Sequence, residues 1–317
     1  MVNEINIINS DTLESVLISK YQKPVILDTI DWDSPEISNE SYRVPYQIGE
    51  TFLGSTVGTR NPTITGYIVS EPVDIKSLKS WEEYYNAQEQ SIEKTKKLLN
   101  KVISIYQDIV ISCDGYYLKG RPTQPIVYSY KAEENNEVMC MFSIELKCYN
   151  PMFYKDSKFV SLASAEGMFR FPLIMTEETG DEYVVFGEIL KKQAVNITND
   201  GDVPSGCVIS IKASGGSVTN PSIYNVNKNE GITFYGLRLE DGDTLTINTN
   251  IGEESAVHHS LSRSADSSVV ANIQKGSKFI QINPGSSLYS YTVQEGEENN
   301  VEMDVTYMEW FFNMEKM

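Results

Sequence analysis

From residue 191 onward the chain is cut into short β-type segments by tight-turn dipeptides, and that rhythm constrains the fold more than any other feature. Val195-Asn196-Ile197-Thr198 runs into Asn199-Asp200-Gly201-Asp202, then come Asn220-Pro221 and Asp241-Gly242-Asp243, which opens Thr244-Leu245-Thr246-Ile247. Asn, Asp and Gly accept the positive φ angles of hairpin turns, and the flanking Val, Ile, Leu and Thr alternate as half-buried strands do. The expected strands are 194–198, 208–213, 222–226, 232–239, 244–248, 255–259, 278–282, 287–293 and 301–312. Many short strands between polar turns predict a β-sandwich of jelly-roll or galectin-like type over 191–317.

The N-terminal half reads differently. Short β-like pieces fill residues 1–70, the clearest being Thr63-Ile64-Thr65-Gly66-Tyr67-Ile68-Val69 after the loop residues Arg60-Asn61-Pro62. A single long amphipathic helix is expected from Asp74 to Tyr106. Ile75, Leu78, Trp81, Tyr85, Ile92, Leu99, Val102 and Tyr106 fall on one stripe, which Gln88 and Thr95 continue. A helix this long is expected to break near Asn86 to Gln90. Strands return at 109–113, 116–119, 126–130 and 137–149, with Asp114-Gly115 marking a hairpin between the first two. Strand, helix and hairpins together describe an α+β domain over 1–150, ended by Asn150-Pro151, because proline cannot donate into a ladder. Residues 151–190 read as an irregular connector. The predicted fold is mainly β with one long helix: an N-terminal α+β domain followed by a C-terminal β-sandwich.

Composition narrows the function. With 26 basic and 44 acidic residues the net charge is -18, carried by both halves: 21 acids against 14 bases in 1–150, and 23 against 12 in 151–317. Sequence-specific or broad nucleic-acid binding needs clustered Lys and Arg, so none is expected. Membrane insertion is not expected either, since no uncharged apolar run approaches the ~20 residues of a spanning helix, and the N-terminus lacks the basic and apolar regions of a secretory leader. Cys113, Cys140, Cys148 and Cys207 lack C-x-x-C spacing and read as reduced core residues. Cys140 and Cys148 share strand parity with Val138, Phe142, Ile144 and Leu146.

No catalytic constellation emerges. His258 and His259 are the only histidines, and adjacent strand residues point to opposite faces. The hydrolase, phosphate-binding, dinucleotide and zinc-protease motifs are missing from the sequence. Glu253-Glu254, Glu297-Glu298, Asp200/Asp202 and Asp241/Asp243 are the carboxylate pairs a glycosidase could use, but their turn-like surroundings predict solvated acids. Asp241-Gly242-Asp243 lacks the oxygen spacing of a calcium loop. Tyr224, Tyr235, Tyr289 and Tyr291 are candidates for a sugar-stacking platform, although strand tyrosines commonly pack the sheet. No catalytic, cofactor or metal residues are assigned.

Taken in order, Arg60 to Val69, the long helix, Asn150-Pro151-Met152-Phe153-Tyr154, Phe171-Pro172, Asn199-Asp200-Gly201-Asp202-Val203-Pro204, Asn220-Pro221 and Leu239 to Thr249 resemble the distal tail (Dit) proteins of siphophages. The resemblance implies a non-enzymatic baseplate hub component at the virion tail tip, assembled in the bacterial cytoplasm. It implies a homo-hexameric ring built by the N-terminal domain, with the tail tube protein on one side and the tail-associated hub or lysin protein on the other. The C-terminal sandwich would hold receptor-binding or baseplate proteins. Two rival readings are a host-surface carbohydrate-binding module and a cell-wall glycosidase.

Overall fold

The computed structural model describes residues 2–71, 80–129, 131, 136, 138–166, 188–191, 194–263 and 265–315. The chain forms two compact units, Met1–Lys155 with Phe312–Met317, and Asp156–Phe311. The second is therefore an insertion, entered after Lys155 and left before Phe312.

Among the described residues, eleven strands and a helix build the first unit: β1 (Glu4–Asn9), β2 (Ser15–Ser19), β3 (Val25–Asp31), β4 (Ile37–Tyr42), β5 (Thr51–Val57), β6 (Thr63–Val69), α1 (Trp81–Val102), β7 (Ile109–Cys113), β8 (Tyr116–Pro122), β9 (Val127–Tyr128), β10 (Met139–Lys147) and β11 (Phe153–Tyr154). Strands pair in the order β8-β7-β1-β2-β3-β6-β10, and β10 returns to β8 through Leu146 opposite Pro122 and Lys147 opposite Arg121. This pairing closes a seven-stranded barrel. The hairpins expected of an α+β unit are present, but their sheet curls into a ring and abolishes its own edges.

Alternation puts Ile5, Ile7, Ile64, Ile68, Ile109, Ile111, Cys140, Phe142, Ile144 and Leu146 in the barrel core. Val138, of the same parity, lies beyond the strand end and is exposed. Gly66 faces Phe142 across the β6–β10 pair, and a Cβ there would stand 2.7 Å from the ring and 2.5 Å from the Ile26 carbonyl oxygen. The small residue lets the aromatic lie flat over the strand. Asp114 and Gly115 both have positive φ and link β7 to β8 as expected.

Helix α1 runs unbroken from Trp81 to Val102, so the expected break at 86–90 does not occur. Gln88, in the middle of that stretch, is buried; its Nε2 donates to the Tyr84 hydroxyl at 2.7 Å, while its Oε1 is buried with no partner among the described residues. Residues 74–79 of the expected helix lie outside the described residues, and Tyr106 lies past its C-terminal end. Ser80 caps the start, its hydroxyl accepting from the Glu83 N–H at 3.2 Å. Asn9 fixes the other end: its buried amide donates to the Val102 carbonyl at 2.9 Å and to the Gln107 side chain at 2.8 Å.

The second unit contains β12 (Lys158–Glu166), β13 (Glu188–Lys191), β14 (Ala194–Asn199), β15 (Cys207–Ala213), β16 (Val218–Thr219), β17 (Ser222–Asn225), β18 (Glu230–Thr233), β19 (Arg238–Leu239), β20 (Thr244–Asn248), β21 (Ser255–His259), β22 (Ser267–Ser268), β23 (Gly285–Thr292), β24 (Val301–Tyr307) and β25 (Trp310–Phe311). One sheet has the order β13-β12-β24-β15-β20-β21-β22 and another β14-β23-β17-β18. Ile209, Ile211, Leu245, Ile247, Met303 and Val305 from the first share one core with Ile197, Ile223, Ile232 and Tyr289 from the second. Two sheets over a common core give the layered β architecture the turn rhythm implies.

Several local readings change. The stretch read as an irregular connector carries β11, β12 and the start of β13, while Phe171-Pro172 lies outside the described residues. Residues 278–281 form no strand, and Ile282 makes only an isolated bridge to Ser205. The Asn199–Asp202 turn is not a hairpin: β14 pairs with β23, and none of these four residues has positive φ. Instead the buried Asn199 side chain accepts from Gly201 N–H and donates to the carbonyls of Val203 and Ile282. Gly201 lies against the Trp310 backbone, where a Cβ would meet the carbonyl oxygen at 2.7 Å.

Candidate functional site

Chemistry requires a reactive group held where a substrate can reach it. His258 and His259 do point opposite ways, His258 inward and His259 outward with Nδ1 2.8 Å from Asp266. Asp243 overturns its expected solvation. It is 3 % exposed, and its Oδ2 lies 2.9 Å from His258 Nε2 while Leu261 N–H donates to Oδ1 at 3.0 Å. Burial pushes the Asp243 carboxyl up, but the bonds from His258, Leu261 N–H and Glu240 N–H outweigh it and hold the group below the usual carboxylate range. A triad would need a nucleophilic hydroxyl on the free imidazole nitrogen. Ser260 instead meets Ser262 at 3.0 Å, and Asp243 is the hydrogen-bond partner found for His258 among the described residues. The pair ties the turn before β20 to β21.

Of the other acids, Asp200, Asp202, Asp241, Glu253 and Glu254 are exposed as expected, and Glu297 departs from the expectation. Glu297, expected at a solvated tip, accepts from the Ser217 and Thr219 hydroxyls at 3.1 and 3.0 Å and from the Thr219 N–H. Glu254 closes an exposed turn by accepting from Gly252 N–H. Asp200 pairs with Lys158 at 2.9 Å, and Lys158 also reaches the buried Glu309 at 2.6 Å. Among the described residues no group of three His, Cys, Asp or Glu could hold a metal ion. Tyr289 and Tyr291 are buried in the core and Tyr224 is half-buried, which leaves Tyr235 as the exposed member of the proposed platform. All four cysteines are free and buried. Desolvation raises each thiol, to about 12 for Cys113 and Cys148 and about 11 for Cys207, so thiolate chemistry at neutral pH is suppressed.

What the fold does assemble is a clamp around Arg60. This side chain is 1 % exposed. Nε donates to the Pro151 carbonyl at 2.8 Å, Nη1 to the Asp33 carbonyl at 3.2 Å and Nη2 to the Phe312 carbonyl at 2.6 Å. The guanidinium also sits 4.5 Å from the Phe153 ring centroid, and Trp32 meets the same ring edge-on at 5.3 Å. Burial lowers the affinity of Arg60 for its proton, but a guanidinium stays charged in proteins. The arginine loop and the Asn150-Pro151-Met152-Phe153 element, both noted in the sequence, thus meet in one structure.

The clamp stands at the root of a long hairpin. β4 and β5 pair from Ile37 opposite Val57 to Tyr42 opposite Thr51, and pair with no other strand among the described residues. Asp33 lies just before the hairpin and Arg60 just after it. Asp33 Oδ2 also accepts from Asn61 N–H, and Gly58 N–H donates to the Glu36 carbonyl at 2.7 Å. The hairpin is exposed on both faces, including Ile37, Tyr42, Val44, Tyr46, Ile48, Phe52, Leu53 and Val57. Sequence reading registered only short β-like pieces here; the signal available was the apolar run Thr51-Phe52-Leu53 facing Ile37 to Tyr42 across a Pro- and Gly-containing tip.

The same architecture occurs in a solved structure. The SPP1 Dit protein, described as a paradigm of the hub adsorption apparatus in phages infecting Gram-positive hosts, aligns over 97 % of this chain and 99 % of its own, with a TM-score of 0.61 and 9 % identity. The chain has the Dit fold. A chain of the phage P2 baseplate in its activated, calcium-bound conformation aligns over 98 % of each chain, with a TM-score of 0.45 and 10 % identity. No protein-family model matches the sequence, and no curated protein does so significantly. Fewer than one aligned residue in ten is shared with SPP1 Dit. No helix among the described residues is long and apolar enough to cross a membrane.

Proposed function

We propose that the chain is a distal tail protein, a structural component of the baseplate hub at the tip of a phage tail. The observation that carries this reading is the correspondence with SPP1 Dit, which covers 97 % of this chain and 99 % of that one and so spans both units. In this reading residues 1–155 with 312–317 form the ring-building domain, and 156–311, inserted between them, form a galectin-like sandwich. Six copies close a ring that continues the tail tube, touching the tail tube protein on one face and the tail-associated hub or lysin protein on the other. The sandwiches carry receptor-binding or baseplate proteins. A net charge of -18 per copy suits a channel that lets DNA slide past without sticking.

Light scattering and negative-stain imaging of the purified chain test this reading. Six-fold rings of six times 35.7 kDa are expected. A particle whose antibody-labelled protein lies away from the tail tip overturns it. A monomer or trimer with measurable glycan affinity returns the carbohydrate-binding module, and turnover of cell-wall glycan that is lost on replacing one acidic pair returns the glycosidase.

A further inference from the structure

We infer that the β4–β5 hairpin is a rigid arm that grips helix α1 of a second copy of this chain. The inference rests on the ring reading above and assigns its contact.

An isolated two-stranded hairpin is marginal in water, because neither face has anything to pack against. This one exposes eight large apolar side chains, with Tyr46 and Ile48 at the tip fully exposed. At typical side-chain areas they present on the order of 1,000 Å² summed over both faces and the tip, so a contact with one face buries less than the roughly 800 Å² per partner of a standard specific interface and needs repetition around a ring to hold when dilute. Exposed strands with such apolar content are aggregation sites unless a partner covers them.

A second surface on the same chain answers it. Buried residues on α1 follow one stripe: Gln88, Ile92, Thr95, Leu99 and Val102. Stepping back by seven residues from Gln88 and Ile92 gives Trp81 and Tyr85, in register with that stripe yet 71 % and 49 % exposed. The helix's apolar face outruns the core its own chain supplies. Trp81 and Tyr85 both pack edge-on against Tyr84, forming an aromatic platform. Arm and platform are different patches, so a contact between them is heterologous, the kind that propagates head to tail and closes a ring when the rotation allows. A self-complementary arm-to-arm contact would stop at a dimer and leave the platforms bare.

The Arg60 clamp supplies the remaining requirement. A gripping arm must be aimed, or the entropy of fixing it opposes every contact it makes. Arg60 ties the Asp33 carbonyl to the barrel at the point where the arm departs, and Asp33 and Asn61 are bonded to each other across its base. Arg60 is thus a positioning residue for the interface.

Complementation between two full-length variants tests the assignment. Ile48→Asp/Phe52→Asp disables the arm and Trp81→Asp/Tyr85→Asp disables the platform; all four residues are exposed, so the unfolding midpoint should match wild type. Wild type should assemble, and each variant alone should sediment as a monomer. At high protein concentration, where a single contact forms without the ring, an equimolar mixture should give a species of twice the 35.7 kDa protomer mass, because one good arm meets one good platform. Variants that still assemble as wild type does, or a mixture that stays monomeric, overturn the arm while leaving the ring intact. A wild type that is monomeric at all concentrations overturns both.

Discussion

Arg60 is the residue on which the first unit turns, because its three donors face three backbone carbonyls and a ring, with no carboxylate receiving them. Truncation removes the Arg60 donor from the carbonyls of Pro151, Asp33 and Phe312, the first bond buried and the other two part-buried, and it also removes the guanidinium packed on the Phe153 ring; a buried group that loses its partner costs about 1–3 kcal/mol. Arg60→Ala should therefore destabilise by about 3–5 kcal/mol in urea unfolding, and Arg60→Lys should recover only part, since an ammonium cannot span the fork. A loss under 1 kcal/mol would mean the clamp is ornamental. Asp243 predicts a pH response. Its folded carboxyl titrates below the unfolded value of about 3.9, so its stabilisation is fully present above the unfolded value and is lost as pH falls through the folded one. Comparing Tm at pH 6 and pH 3, wild type should fall further than Asp243→Asn, which has no carboxylate to protonate; equal falls would dismiss the pair as a source of acid sensitivity. Sequence reading flagged the arginine but not its burial, and it placed Asp243 in solvent because a D-G-D turn looks polar. What reversed that was a histidine fifteen positions later, a partner only the sheet can bring near.

At the scale of elements, local chemistry was legible and pairing was not. Strand parity in β10 from Cys140 to Leu146 and the Asp114-Gly115 hairpin stand as their periodicities imply, and the helical stripe is buried from Gln88 to Val102 while Trp81 and Tyr85 at its start are exposed. The barrel's closure rests on two residue pairs joining β10 to β8, Leu146 with Pro122 and Lys147 with Arg121, and no propensity encodes that meeting. The turn at 199–202 misled for a related reason: Asn199 spends its side chain bracing a loop that a hairpin signal resembles. One start signal was present and unread, the capping sequence Ser80-Trp81-Glu82-Glu83, in which the serine accepts from the third residue of the helix. Ser80→Ala should cost about 1 kcal/mol in equilibrium unfolding. The effect should be confined to the first turn, seen as faster amide exchange at Glu82 to Tyr84 with residues past Ile92 unchanged. Uniformly faster exchange along α1 would show instead that the cap sets the stability of the whole helix.

For the whole molecule, two large terms oppose each other in any assembly of these chains. Each copy brings -18 charges to the next, and like charges resist approach over the Debye length, about 30 Å at 0.01 M salt but about 8 Å at 0.15 M. The contact inferred between arm and helix is built from Tyr46, Ile48, Phe52, Trp81 and Tyr85, apolar groups whose burial salt does not weaken. Raising sodium chloride from 0.01 to 0.3 M should therefore shift assembly to lower protein concentration, by tenfold or more if screening removes at least about 1.4 kcal/mol of repulsion per contact. Light scattering across a dilution series at each salt concentration reads the midpoint directly. Dissociation on adding salt would require ion pairs to hold the copies together, and with 44 acidic residues against 26 basic ones the chain is poorly supplied for a ring of that kind.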